Sequence, residues 1–135
     1  LLARVGILAL ADRPCGTLAY GDVKRVEIAI ALAGKPRVLL LDEPTAGMAA
    51  AERMQVMRLV SDLAAEGTSG VPMGVLFVEH DMDAVFAHAT RIMVMDRGRL
   101  IANGPPAEVR NDARVRAVYL GTSVDPAPDS AAAGP

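Results

Sequence analysis

Twice in this 135-residue chain, a short unbroken apolar run ends against acids or a histidine. Val38-Leu39-Leu40-Leu41 leads into Asp42-Glu43-Pro44, and Val75-Leu76-Phe77-Val78 leads into Glu79-His80-Asp81. Runs of this length without alternation predict strands covered on both faces, as in a parallel sheet. The segment between them, residues 50–66, predicts an amphipathic helix. Val56, Val60, Leu63 and Ala64 fall on one stripe, while Glu52, Arg53, Gln55, Arg58, Ser61, Asp62 and Glu66 face away. Strand, helix and strand in that order indicate an α/β layer with a mostly parallel sheet and flanking helices.

Residues 1–11 predict the end of a helix, closed by Asp12-Arg13-Pro14. A second helix is expected from Gly21 to Ala33, stopped by Gly34 and Pro36. Its half Ile28-Ala29-Ile30-Ala31-Leu32-Ala33 is apolar all round and predicts burial on several sides. Residues 68–74 read as a Gly/Pro loop, and a short helix is expected over 82–88. Residues 91–95 and 99–102 predict a C-terminal β-hairpin around Asp96-Arg97-Gly98. Pro105-Pro106 with Glu108 marks a helix start. Asn111 or Asp112 can cap a last helix carrying Val115, Val118, Tyr119 and Leu120. The Asp, Pro, Ala, Ser and Gly of residues 122–135 predict a disordered tail.

Apolar residues make up 52% of the chain but aromatics only 3%, so the core must be built from Val, Ile, Leu, Met and Ala. Met54, Met57, Met93 and Met95 are expected to pack there. A net charge of −2 with no long basic run gives no electrostatic case for a nucleic-acid partner. The single cysteine, Cys15, excludes an internal disulfide and suits a reducing compartment. No apolar stretch approaches the roughly 20 residues of a spanning helix. His88 is expected on a helix surface, with no second ligand at metal-like spacing. The chain opens on Leu1 within a helix-like pattern and is expected to be a piece of a longer protein.

Three segments carry chemistry. A buried strand ending in Asp42-Glu43 puts carboxylates at its C-terminal edge, where open α/β sheets bind ligands. One acid can hold Mg²⁺ through water, and the next can deprotonate a water that attacks a phosphate. Solvent-facing acids leading into a helix would give the same pattern. Val75 to Val78 delivers His80 to that same edge, close enough to share a ligand, although a histidine after a strand is often a surface residue. Leu18, Ala19, Tyr20, Gly21 and Asp22, followed by Lys24 and Arg25, open a helix whose free N–H groups can receive an anion. An ordinary helix start with Asp22 favouring the dipole reads the same way.

Together and in this order, the three segments resemble the ATP-binding-cassette (ABC) family over nearly all of residues 1–121. Leu18, Ala19, Tyr20, Gly21 and Asp22 match its signature motif, Val38 to Asp42 its Walker B strand, and His80 its switch histidine. Ala46, Gly47, Met48 and Ala49 occupy its D-loop. The resemblance implies a partial P-loop NTPase fold, the C-terminal part of an ABC nucleotide-binding domain. Residues 1–34 would then be the end of a helical subdomain with the signature helix, residues 35–121 would run from Walker B to the C-terminal helices, and 122–135 would be the tail. Leu-Ala-Tyr-Gly at 18–21, Val-Glu-His-Asp-Met at 78–82 and Ala-Val-Tyr-Leu-Gly at 117–121 look most like ATPase subunits of branched-chain amino-acid importers.

The resemblance implies ATP and Mg²⁺ as cofactors, with Asp42 as the Mg²⁺ residue, Glu43 as catalytic base and His80 contacting the γ-phosphate. It implies a second ATPase subunit whose ATP the signature residues serve, membrane permease subunits, and indirectly a solute-binding protein. The implied place is the cytoplasmic face of the plasma membrane. An ABC-type DNA-repair or chromosome-maintenance ATPase head, and a non-hydrolysing interaction module, are the alternatives. Four features depart from the family: Asp22 in place of Gln and Ala19 in place of Ser, Ala49 in place of Asp or Asn, a longer 68–74 loop, and no P-loop. Gly16-x₄-Gly21 is followed by Asp22 and Val23 where Lys and Ser/Thr are required.

Overall fold

The computed structural model describes residues 1–67 and 70–120, with the side chain of Leu120 excepted. The disorder expected of residues 122–135 lies outside these, as do Thr68 and Ser69 of the expected long loop. The chain divides into two units, Leu1–His88 and Ala89–Pro135. The first runs α1 (Tyr20–Ala33), β1 (Val38–Asp42), α2 (Ala50–Glu66), β2 (Gly74–Val78) and α3 (Met82–His88), after two short 3₁₀ turns, Leu8–Leu10 and Cys15–Thr17. The second runs β3 (Ile92–Asp96), β4 (Arg99–Gly104), α4 (Pro106–Asn111) and α5 (Ala113–Val115), then a π-helical turn, Arg116–Leu120.

The helix expected over residues 1–11 does not form: residues 2–6 make a hydrogen-bonded turn, followed by the 3₁₀ turn Leu8–Leu10. Gly6 takes φ 75°, its N–H reaches the Ala3 carbonyl (3.2 Å), and the Ile7 N–H reaches back to Leu2 (3.0 Å). That pair of bonds is the Schellman stop, and glycine adopts the left-handed conformation it needs without a Cβ penalty. The Arg25 guanidinium caps the Val5 carbonyl at 3.0 Å, and the Arg4 guanidinium reaches the Gly67 carbonyl at 2.9 Å. Val5 and Ile7 thereby sit in the core.

In that core the α2 stripe, Val56, Val60 and Leu63, meets Ile28, Ala29 and Leu32 of α1 and Leu39 of β1. Each Val, Leu or Ile side chain among them contributes roughly 1.5–3 kcal/mol by leaving water. The exposed Arg4–Glu66 pair, at 3.5 Å, contributes at most about 1 kcal/mol, so the stripe and not the ion pair seats α2. Met57 is buried as expected, but Met54, Met93 and Met95 are exposed and do not pack in the core. Among the described residues, no helix is long and apolar enough to cross a membrane.

β1 and β2 pair in parallel, Leu39 opposite Val75 and Asp42 opposite Val78, and β3 and β4 pair antiparallel. The parallel sheet is thus small, two strands among the described residues. It is also covered on one face only. Leu39 is 4% exposed while Leu40 is 69% exposed, and Val38, Leu76 and Val78 share that open side. The same holds for the second half of α1, where Ile30 stands in solvent and only one face is buried. Continuous apolarity predicted two-sided cover, but in the first unit the core lies against one side.

The hairpin turns through Arg97 (φ 47°) and Gly98 (φ 76°), the two positive values of a type I′ turn. A bulge follows Val94, which pairs with Ala102 while Met95 pairs with Leu100. The Tyr119 hydroxyl donates to the Met95 carbonyl at 2.6 Å.

Asp112 caps α5. Its carboxylate accepts the Arg114 N–H at 2.8 Å and pairs with the Arg114 guanidinium at 2.8 Å. The guanidinium hydrogen bond, then the backbone N–H, hold the Asp112 carboxyl down at about 2, from an ordinary 3.8. A depressed carboxylate stabilises the fold above its unfolded-state value. Its contribution is therefore complete above about pH 4 and fades as pH falls towards 2. A ¹³C NMR titration of the Asp112 carboxyl should give a midpoint near 2, and a midpoint near 4 would contradict the cap.

Candidate functional site

Parallel pairing sends the C-terminal ends of β1 and β2 to one edge. The ladder runs one bond past β1, from the Glu43 N–H to the Val78 carbonyl at 2.9 Å. Glu43 itself takes φ 42°, a left-handed conformation that costs a non-glycine residue roughly 1–2 kcal/mol. The chain therefore turns sharply at Glu43, and the Glu43 side chain leaves the line of the strand. Its Oε1 lies 3.5 Å from Nδ1 of His80, with both side chains more than half exposed. Glu43 and His80 thus meet, as the two strand ends predicted.

Asp42 occupies the same open face of β1 as Leu40. Among the described residues no hydrogen bond or ion pair engages its carboxylate. None of them forms a group of three or more side chains able to cage a metal. A free carboxylate without a cage suits Mg²⁺, which takes one or two protein oxygens and completes its shell with water and phosphate.

The sequence reading missed what holds this edge. Glu79 Oε1 accepts both the Thr45 N–H (3.0 Å) and the Thr45 hydroxyl (2.5 Å), and Thr45 is buried at 1% exposure. Asp81 Oδ1 accepts the N–H groups of Asp83 (3.1 Å) and Ala84 (3.2 Å) at the start of α3. Asp81 Oδ2 pairs with Arg53 Nε of α2 at 3.0 Å, and Arg53 Nη1 reaches the Met48 carbonyl at 3.4 Å. An acid just before a short helix is a legible cap signal, but Arg53 belongs to the outward set of α2 and nothing local marks its partner.

The segment holding Leu18, Ala19, Tyr20, Gly21 and Asp22 meets the segment holding Ala46, Gly47, Met48 and Ala49. The Tyr20 ring lies against Gly47, 3.9 Å from where a Cβ would stand. Gly21 is buried against Glu52 in the first turn of α2, and a Cβ at Gly21 would collide with the Glu52 carboxylate. The space a Cβ at Gly21 would occupy is thus taken by the Glu52 side chain. Lys24 lies over the Tyr20 ring (5.6 Å to its centre) and bonds Glu27 at 2.8 Å, which raises its ammonium above the usual lysine value. Lys24 and Glu27 also line a groove with Leu40, Asp42 and Pro44, so the flank of α1 borders Asp42.

His88 departs from the expected surface position. Ser61 donates its hydroxyl to the Met57 carbonyl (3.0 Å), and its oxygen lies 3.1 Å from His88 Nδ1. Nε2 is buried without a partner among the described residues.

Comparison with known proteins places these residues in context. The family described as "ABC transporter" matches residues 1–46, and "Branched-chain amino acid ATP-binding cassette transporter" matches residues 99–125. The high-affinity branched-chain amino acid transport ATP-binding protein LivG of Salmonella typhimurium is 39% identical over 120 residues, 89% of this chain and 46% of that protein. The corresponding protein BraF of Pseudomonas aeruginosa is 38% identical over 89% of this chain and 46% of its own length. The structure of the ADP conformation of MJ1267, an ATP-binding cassette of an ABC transporter, is similar at a TM-score of 0.77 and 32% identity, covering 90% of this chain and 47% of that one. The chain spans about half the length of the curated relatives it matches.

Ala49 is the N-cap of α2, with φ −66° and ψ 155°, and has no side chain to bond the free N–H groups there. Ala49→Asp should stabilise the chain by about 1 kcal/mol, read as a higher urea midpoint. An unchanged midpoint would mean that another group already satisfies this helix end.

Proposed function

The chain belongs to the ABC transporter ATPase family, and on that premise we propose that it forms part of an ATP-hydrolysing subunit that drives uptake of branched-chain amino acids or related small polar solutes. The observation that carries the proposal is the meeting of Glu43 and His80 at the C-terminal edge of a parallel strand pair, 3.5 Å apart and open to solvent. The names of LivG and BraF, and the family match at residues 99–125, support the solute class.

Each residue acts according to its place. Glu43 accepts a proton from the water that attacks the γ-phosphorus, while ADP departs with the electrons of the broken P–O bond. His80, beside Glu43, donates a hydrogen bond to a γ-phosphate oxygen. Asp42 would hold Mg²⁺, which neutralises charge on the phosphate oxygens when bound. Leu18, Ala19, Tyr20, Gly21 and Asp22 serve ATP held by a second ATPase subunit, identical or related. Ala46, Gly47, Met48 and Ala49, in contact with them through Tyr20, carry the state of one site to the other. The Glu52 side chain covers Gly21 in this conformation, so an incoming phosphate has to displace it.

The further partners are permease subunits, a solute-binding protein reached through them, and no nucleic acid. The subunit works peripherally at the cytoplasmic face of the membrane. The sequence of this chain has no Gly-rich loop with lysine to cradle β- and γ-phosphates.

Glu43→Gln in the intact ATPase keeps shape but cannot take a proton, so hydrolysis should fall at least about 100-fold while ATP binding persists. An ATP-bound dimer should then accumulate on gel filtration. Turnover at the wild-type rate would remove Glu43 as the base. The 135-residue chain alone should show no micromolar affinity for Mg-ATP by calorimetry, and such affinity would mean that the nucleotide site lies elsewhere.

A further inference from the structure

Three consecutive residues at the end of β2 each grip the turn that follows β1. The Val78 carbonyl accepts the Glu43 N–H at 2.9 Å. The Glu79 carboxylate accepts both Thr45 donors, N–H at 3.0 Å and hydroxyl at 2.5 Å. His80 Nδ1 stands 3.5 Å from the Glu43 carboxylate. Glu43 thus lies between two anchored points, its own amide and Thr45 two residues on. It needs such anchoring because φ 42° is a conformation that a glutamate before proline does not hold unaided.

From this geometry we infer that Glu79 is a positioning residue, which acts through Thr45 to aim the Glu43 carboxylate. The chemistry of the contact supports the assignment. Thr45 is buried, so its hydroxyl and amide have no access to water and depend on a protein acceptor. A single carboxylate oxygen takes both, which makes the contact directional and charge-assisted. Glu79 is thereby engaged on the core side of the turn, whereas Glu43 faces solvent, so the two acids do not compete for one role. Releasing Thr45 would leave the backbone of 43–45 free to relax from the left-handed conformation, and the Glu43 carboxylate would move with it. Chemistry that depends on its distance to a water would suffer, while binding of the nucleotide would not.

The inference rests on Glu43 being the base, so the experiment carries a control for that reading. In the intact ATPase, Glu79→Ala and Thr45→Val should each lower kcat by about tenfold and leave KM for ATP within about twofold. The double variant should be no slower than the slower single, because both remove one contact. Thr45→Ser, which keeps the hydroxyl, should restore kcat. Amide hydrogen exchange at Thr45 should speed up in Glu79→Ala, with the Leu40 amide unchanged. Losses that multiply in the double variant, or faster Thr45 exchange with kcat unaltered, would overturn the positioning role. The Glu43→Gln control separates the two failures: if it turns over at the wild-type rate, the base assignment falls, whatever Thr45 exchange reports about the contact.

Discussion

The parallel pairing of β1 and β2 is the constraint on which the rest of the first unit depends. With Asp42 opposite Val78, both strands finish at one edge, and the residues just beyond them cannot avoid each other. An antiparallel pair would have sent Glu43 and His80 to opposite ends of the sheet. The pairing in turn requires α2 as the crossover. The α2 stripe, packed on α1 and β1, is what keeps the crossover against the sheet. The core therefore acts on the site at a distance, by setting a register.

The acids along that edge divide into engaged carboxylates and solvent-facing ones. Glu79 and Asp81 are engaged, the first by Thr45 and the second by Arg53 and the start of α3. Asp42 and Glu43 stay on the solvent side. Burying a carboxylate without a matched cation costs several kcal/mol, which favours leaving these two in water. The engaged acids hold the turn and the start of α3, whereas Asp42 and Glu43 stay open to solvent. Arg53 of α2 bridges Asp81 and the backbone carbonyl of Met48.

At the N-terminus of α1, Gly21 brings two helix starts together. Its position, opening a helix, is right for an approaching anion. In this conformation, however, the missing Cβ makes room for the Glu52 side chain, and that contact joins the start of α1 to the start of α2. The neighbouring Tyr20–Gly47 contact adds the 46–49 turn to the same assembly.

Much of this was legible in the chain itself. The limits of α2, both parallel strands, the Arg97-Gly98 turn and a cap at Asn111 or Asp112 follow from periodicity and turn chemistry, which act between residues a few positions apart. That Asp42, Glu43 and His80 would share an edge followed as well, because strand ends carry their polar residues wherever the strands lead. Other features depended on which surfaces came together. The Gly6 stop was readable in principle from a glycine that Pro14 overshadowed. The exposed side of β1 and β2, and the exposed methionines, were not, because apolar composition says that a residue can be buried and not whether something covers it. Glu79 on Thr45, Arg53 on Asp81 and Glu52 on Gly21 join positions far apart in sequence. Their partners were decided only when packing brought the backbones within the 3 Å or so that a hydrogen bond requires.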